Sequence, residues 1–474
     1  MDNQLSMMSA CDMVRKFKDR TLSPVEATQA ALGKIALLDE TYNAFLLVDP
    51  ERALADARNS ETRWMMSEPR GAIDGVPSTI KEVVLSKGWP TRRGSLTTDA
   101  VQECAEDAPC VARMREQGAV FLGKTNSPEF GWKGVTDSPL AGITRNPWNP
   151  ERTAGGSSGG AAVAAAHGFG ALHIGNDAAG SVRIPGAFCG IFAFKPTFGL
   201  VPAYPWEART SLAHVGPMTR TVSDGALMLN VISRPDVRDW YALPYTGQDF
   251  LSGLEDGIKG LRIAFSRTLG FASCDPEVLS LVERAVEELV RLGATVEECD
   301  PDIGNPRTLI EELWNTGLAY AVDGVAEDKR HLLEPGLVAC ARKADALSAV
   351  DRARAELGRE TMGRAMAAFH EKYDLLVTPQ MPIAAFEAGR LVPENSGMDN
   401  WLDWSPYSYP FNLTQQPAAS VPCGLTEAGL PVALQIVGPK YADARVLRAA
   451  RSFESVHPFV MPNGGNDGGN HMPS

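Results

Sequence analysis

The chain has 474 residues, 44% hydrophobic and 22% charged, which is enough apolar sequence for a large core. Lysine and arginine number 45 against 58 aspartates and glutamates, and the formal net charge of −13 argues against a nucleic-acid or anionic-membrane partner. The eight cysteines are scattered without a C-x-x-C pair, which argues against a zinc knuckle or a disulfide framework and fits reduced thiols in a cytoplasmic protein.

The N-terminus lacks a basic segment followed by an apolar run, so no secretory signal is expected. No apolar run reaches the ~18–20 residues of a membrane helix. Ser23-Pro24-Val25-Glu26 reads as a helix start, with an N-cap, a first-turn proline and a capping-box glutamate, and the helix is expected to run to about Leu38. Glu51 to Asn59 reads as a second amphipathic helix, so residues 1–60 form a helical N-terminal arm without a chemistry-bearing cluster. Ile73 to Lys81 reads as a loop entering a strand that ends near Val84. Lys81 falls in an apolar, β-prone stretch. A lone lysine there is ordinarily a solvated strand end, whereas a buried one is desolvated and can act as a neutral base. Ala108 to Gly118 reads as a helix and Val120-Phe121-Leu122 as a buried strand, followed by a long polar loop from Gly131 to Ala154.

The next stretch is the most distinctive. Gly155-Gly156-Ser157-Ser158-Gly159-Gly160 precedes an alanine-rich helix, a short buried strand at Ala171 to Ile174, and the small-residue turn Asp177-Ala178-Ala179-Gly180-Ser181. Three readings compete for the glycine run. One is a turn before a close-packed helix, and another is a phosphate cradle at a helix N-terminus, although no Gly-Lys-Ser/Thr follows. The third is a nucleophile elbow centred on Ser158. That motif needs an apolar strand before it, and the prolines in Asn146 to Arg152 forbid a central strand there.

Gly216 to Asp224 introduces a helix through about Val231. Leu261 to Phe265 reads as a strand, Asp275-Pro276-Glu277 caps a helix through Leu292, and Ala294-Thr295-Val296 reads as the next strand. That alternation argues for an α/β fold. A helical stretch spans Pro306 to His370, and Tyr373 to Pro379 is a buried strand. Trp401 to Tyr409 is an aromatic segment, expected as a surface loop with a few packed rings or as a wall for an apolar acyl group. Ala418 to Pro422 and Val432 to Gly438 complete the core, and Ala442 to Phe453 is the closing helix. Residues 456–474 are expected to be a flexible tail.

Together these motifs resemble the amidase signature family. The resemblance rests on Gly155 to Gly160, on Asp177 to Pro185, on Phe188-Cys189-Gly190 and Lys195-Pro196-Thr197, and on Gly75-Val76-Pro77-Ser78-Thr79-Ile80-Lys81-Glu82 upstream. The spacing between Ser157 and Ser181 is also the family's. The resemblance covers about Ser23 to Phe453. It implies an α/β fold: a single large domain (61–455, signature core about 71–225) with a central twisted mixed β-sheet covered by helices on both faces.

The resemblance implies amide hydrolysis through a serine acyl-enzyme. Ser181 is then the nucleophile, Ser157, which follows a cis peptide bond, relays its proton, and Lys81 is the base. The N–H groups of Ala178, Ala179, Gly180 and Ser181 would form the oxyanion hole. Ser158 and Asp177 would support the network, and Arg183 would orient Asp177 or a substrate carbonyl, or form a structural ion pair. No metal or cofactor is implied. The implied partner is a small-molecule amide, and a homodimer packed through the N-terminal arm is an option the family leaves open. Ala179 and Gln415 stand where many relatives carry glycine, which puts inherited substrate preference in doubt. Three alternatives stay open: the glutaminase component of a tRNA-dependent amidotransferase, which Pro202-Ala203-Tyr204-Pro205-Trp206 does not resemble; a serine esterase using His167, His173 or His214; and a non-catalytic binding protein.

Overall fold

A computed structural model describes residues 3–205 and 210–462. Trp206 and the end of the expected flexible tail lie outside the described residues. In chain order the strands are β1 (Phe45–Val48), β2 (Pro77–Lys81), β3 (Val120–Thr125), β4 (Asp137–Ser138), β5 (Gly142–Ile143), β6 (Leu172–Asp177), β7 (Phe192–Lys195), β8 (His214–Thr219), β9 (Arg262–Phe265), β10 (Thr295–Glu298), β11 (Leu375–Pro379), β12 (Ala418–Leu425) and β13 (Pro431–Val437). All but β4 and β5 join one mixed sheet, in the order β1-β3-β2-β6-β8-β7-β12-β13-β11-β9-β10. β2 runs parallel to both β3 and β6, and β9 runs parallel to β10 and β11. The pairings through β8, β7, β12 and β13 are antiparallel.

The sheet is apolar on both faces because side chains alternate along each strand. Leu434 and Ile436 of β13 join one buried cluster, while Ala433 and Val437 join another. β9 and β11 divide the same way: Ile263, Leu375 and Val377 go to the first cluster, Ala264 and Leu376 to the second. The central strands are therefore continuous apolar runs, covered by helices, in one large α/β domain.

Several expectations shift in detail. The Ser23–Glu26 capping box is present, and its helix runs on to Tyr42, where Asn43 adopts the left-handed conformation that ends it. The following helix spans Pro50–Met65. Between them β1 pairs with β3, so the N-terminal arm supplies an edge strand as well as helices. The polar loop after Gly131 contains the β4–β5 hairpin. Gly216 to Thr219 belongs to β8, and the helix begins at Val222. The surface-loop reading of Trp401 to Tyr409 is overturned: Trp401, Trp404, Tyr407 and Tyr409 are all 1% exposed or less. The rings pack inward because Trp404 stacks on Phe188 and Trp401 meets Trp314 edge-on. Among the described residues no helix is long and apolar enough to cross a membrane.

Candidate active site

β2 and β6 are parallel neighbours and end at Lys81 and Asp177. Ligand sites of parallel sheets lie beyond such carboxyl ends. The helix Gly159–His167 precedes β6, and its small side chains let all nine of its residues bury against the sheet. This packing carries Ser157 and Ser158, at the helix N-terminus, up to the end of β2.

Lys81 is wholly buried. Its Nζ lies 2.7 Å from Ser157 Oγ, 2.8 Å from Ser158 Oγ and 2.5 Å from Asn176 Oδ1. The peptide bond from Gly156 to Ser157 is cis. Ser158 Oγ also donates to the Asn176 carbonyl at 3.2 Å, which leaves it unable to cap its own helix. Gly131, at φ +63°, faces Ser157, and a β-carbon there would stand 3.3 Å from Ser157 Oγ. Glycine at that position keeps room beside the hydroxyl.

The turn after β6 is held by Asp177. Its carboxylate accepts from Gly180 N at 2.6 Å and Val182 N at 3.3 Å, from Arg183 through Nε at 2.9 Å and Nη2 at 3.1 Å, and from Asn412 Nδ2 at 2.9 Å. Arg183 also donates to the Ser408 carbonyl, Gln435 Oε1 and Asn412 Oδ1. Both side chains of the pair are fully buried. Burial alone would raise the Asp177 carboxyl. The charge and hydrogen bonds of Arg183, the charge of Lys195 and the Asn412 bond outweigh it and hold the group well below the usual carboxylate range. Of the roles considered for Arg183, the geometry gives the structural ion pair that orients Asp177.

One expected oxyanion donor is displaced. The Gly180 N–H points at Asp177 Oδ1, because the carboxylate ties the turn down through that amide. The amides of Ala178, Ala179 and Ser181 have no protein acceptor among the described residues. Gly180 still has to be glycine: at φ +121°, a β-carbon would stand 2.6 Å from Ser408 Cβ. Ala179 is buried in an apolar cluster with Ile184 and Phe188, which accommodates its methyl. The Ser181 carbonyl accepts from Ser158 N at 3.0 Å, which docks the two serine turns on each other. The structure thus joins Lys81, Ser157 and Ser158 by side-chain hydrogen bonds and Ser181 by its backbone. The Ser181 hydroxyl has no protein hydrogen-bond partner among the described residues.

The three histidines take other partners. His173 Nδ1 lies 2.9 Å from Thr79 Oγ1, and burial, helped by the charge of Arg220, pushes its ring down to about 3. His167 packs between Tyr42 and Phe169, and burial with the charge of Lys34 pushes it down to about 4. His214 Nδ1–H donates to the Leu212 carbonyl at 2.7 Å, and burial pushes its ring well below the usual range. No ring is hydrogen-bonded to Ser157, Ser158 or Ser181 among the described residues. His167→Gln and His173→Gln should each keep kcat/KM within about tenfold of the parent. A loss as deep as that of Lys81→Ala would move the base to a histidine.

Asn176 and Asn412 carry the geometry as much as the expected residues do. Asn176 holds Lys81, and Asn412 braces both members of the buried ion pair. No local signal singled them out: Asn412 is far along the chain from Asp177, and Asn176 lies inside a strand. The partial exposure of Asn176 and Ala178 opens the site on this side.

The chain is similar to known proteins over nearly its whole length. The model of the Amidase family matches residues 26–447. The chain is 37% identical to an acylamidase of Rhodococcus erythropolis over 97% of each chain. It is 36% identical to a glutamyl-tRNA(Gln) amidotransferase subunit of Myxococcus xanthus (strain DK1622), covering 96% of this chain and 98% of that one. Its fold superimposes on a bacterial aryl acylamidase of the amidase signature enzymes with a TM-score of 0.88, at 29% identity, over 95% and 96% of the two chains.

Proposed function

The chain belongs to the amidase signature family and is a hydrolase of C–N bonds, and on that premise we propose that it cleaves small carboxylic amides through an acyl-enzyme on Ser181. The observation that supports this most is the 2.7 Å contact between buried Lys81 Nζ and Ser157 Oγ, beside the turn that carries Ser181. In this reading the Ser181 oxygen attacks the amide carbonyl and its proton passes to Ser157, whose own proton goes to Lys81. The negative charge formed on the carbonyl oxygen meets the amides of Ala178, Ala179 and Ser181. Each such donor is typically worth about 2.7–4 kcal/mol in the transition state. As the C–N bond breaks, Ser157 returns the proton to the departing amine. Water then takes the amine's place, gives its proton along the same path, and releases the carboxylic acid and free Ser181.

Ser158 fits a supporting role, because its hydroxyl is fully buried and bonded to Lys81 and the Asn176 carbonyl. The test is a panel of amides, anilides, hydrazides and esters matched in acyl group, with both products quantified. Turnover of an amide or anilide is the expected result, and hydrolysis of esters alone would overturn the reading. Free glutamine belongs in the panel because of the similarity to the Myxococcus xanthus amidotransferase chain. Ammonia release from glutamine alone would favour that activity. The proposed chemistry needs no metal, so exhaustive dialysis against a chelator should leave the rate unchanged. A loss restored by zinc would contradict it.

A further inference from the structure

A cavity of about 270 Å³ reaches the Lys81 network through one of its members. Asn176, whose Oδ1 receives Lys81, lines it, as does Phe130, the neighbour of the Gly131 that faces Ser157. The walls are largely apolar: Val84, Leu85, Val215 and the rings of Tyr204 and Tyr320 contribute. Among the described residues Arg93 is the only side chain lining it that carries a permanent charge. His214, which also lines it, donates through Nδ1 to Leu212 and is kept neutral by burial.

A second cavity of about 300 Å³ adjoins the first, and Arg93, Phe130, Tyr320 and Ala321 line both. Its lining adds one more cation, Lys329, and no carboxylate among the described residues. The two adjoining cavities thus present two cations in a chain whose net charge is −13.

The Arg93 guanidinium has no hydrogen-bond or ion-pair partner among the described residues. Its backbone, in contrast, is pinned: φ is +52°, its carbonyl accepts from Phe130 N at 2.7 Å, and the following Gly94 N–H donates to Glu82 Oε1 at 3.0 Å. Glu82, the buried carboxylate beside this loop, is engaged with that amide and with Lys124 at 3.7 Å, so it does not neutralise Arg93. A half-buried arginine whose guanidinium has no counter-ion among the described residues offers a planar donor fork to a carboxylate.

We propose that this cavity selects amides carrying a carboxylate remote from the scissile bond, and that Arg93 binds that carboxylate. The inference rests on the amidase reading above. The experiment compares matched pairs that differ only by the charged group: butyranilide with the monoanilide of succinic acid, and acetanilide with 4-acetamidobenzoate. In at least one pair kcat/KM for the carboxylate-bearing member should exceed that of its neutral partner by tenfold or more. The pair that shows this identifies which half of the substrate occupies the cavity. Arg93→Asn suits the left-handed backbone. It should reduce that preference ratio at least tenfold, with Arg93→Lys in between. A structural defect would lower both members of a pair together and leave the ratio unchanged. Absence of a preference in both pairs, or a ratio untouched by Arg93→Asn, overturns the proposal. If no amide is turned over, the amidase reading fails first, and calorimetry with glutarate still decides. Binding that weakens tenfold or more in Arg93→Asn supports a carboxylate site, and no binding to the parent protein refutes it.

Discussion

Ser181→Ala should lower amide turnover ~10⁴-fold or more, because the proposed acyl-enzyme route is lost with its oxygen. Three serines compete for the role, and the structure separates them by their surroundings. Ser158 is 0% exposed, and its hydroxyl is taken by Lys81 and the Asn176 carbonyl. Ser157 is bonded to Lys81, which suits proton transfer. Ser181 has a hydroxyl without a protein partner among the described residues, in a turn where the amides of Ala178, Ala179 and Ser181 also lack a protein acceptor among them. Ser157→Ala should therefore also be severe and Ser158→Ala milder, but members of one catalytic unit show non-additive losses, so rates alone do not identify the acylated atom. Covalent labelling does. A sulfonyl or phosphonyl fluoride should modify Ser181. Trypsin leaves Thr153 to Arg183 as one peptide, because no lysine or arginine lies between Arg152 and Arg183. All three serines fall within it, and fragmentation must locate the adduct. An adduct on Ser158, together with an active Ser181→Ala enzyme, would return the site to the elbow reading.

How far the sequence reaches can be judged from particular elements. The glycine and small-residue turns were legible because few residue types tolerate those backbone angles and approaches, as Gly180 against Ser408 demonstrates. Strong apolar strands such as β13 and capped helices such as Pro276–Arg291, with Asp275 at its N-cap, were legible from local pattern. Strand β1 was not. Its four residues follow a long helix, and only pairing with β3 makes them a strand. The aromatic segment was misjudged because prolines, serines and tryptophans in sequence resemble a surface loop. Its burial comes from partners far along the chain, Phe188 and Trp314. The same limit applies to the site. Lys81, Ser157 and Ser181 stand in motifs, whereas Asn176, which holds Lys81, and Asn412 and Gln435, which hold the Asp177–Arg183 pair, are defined only by the folded chain. The use of the Gly180 amide by Asp177 is likewise a matter of side-chain rotamer rather than of motif.

That carboxylate leads to the largest expected effect on stability, at Arg183→Met. Arg183 and Asp177 are both fully buried, and the arginine spreads its donors over Asp177, Ser408, Gln435 and Asn412. Removing one member of a buried pair leaves the other charge uncompensated and typically costs about 3–5 kcal/mol. Methionine fills much of the volume, so the loss reports charge and hydrogen bonding rather than a cavity. The pH dependence separates this from a packing defect. In the parent protein the Asp177 carboxyl is depressed in the folded state, so its stabilisation is present above the unfolded value of about 3.9 and is lost as pH falls toward the folded value. In Arg183→Met the largest lowering influence is gone and burial dominates, so Asp177 takes up a proton at higher pH than in the unfolded chain. Protonation then relieves the variant as the solution is acidified. Urea denaturation at pH 8 and pH 5 should show the gap between parent and variant narrowing toward the lower pH. A gap under about 1 kcal/mol at pH 8, well short of the loss typical of a broken buried pair, would count against the account of Asp177 as a charge kept in place by Arg183. So would a gap that widens on acidification.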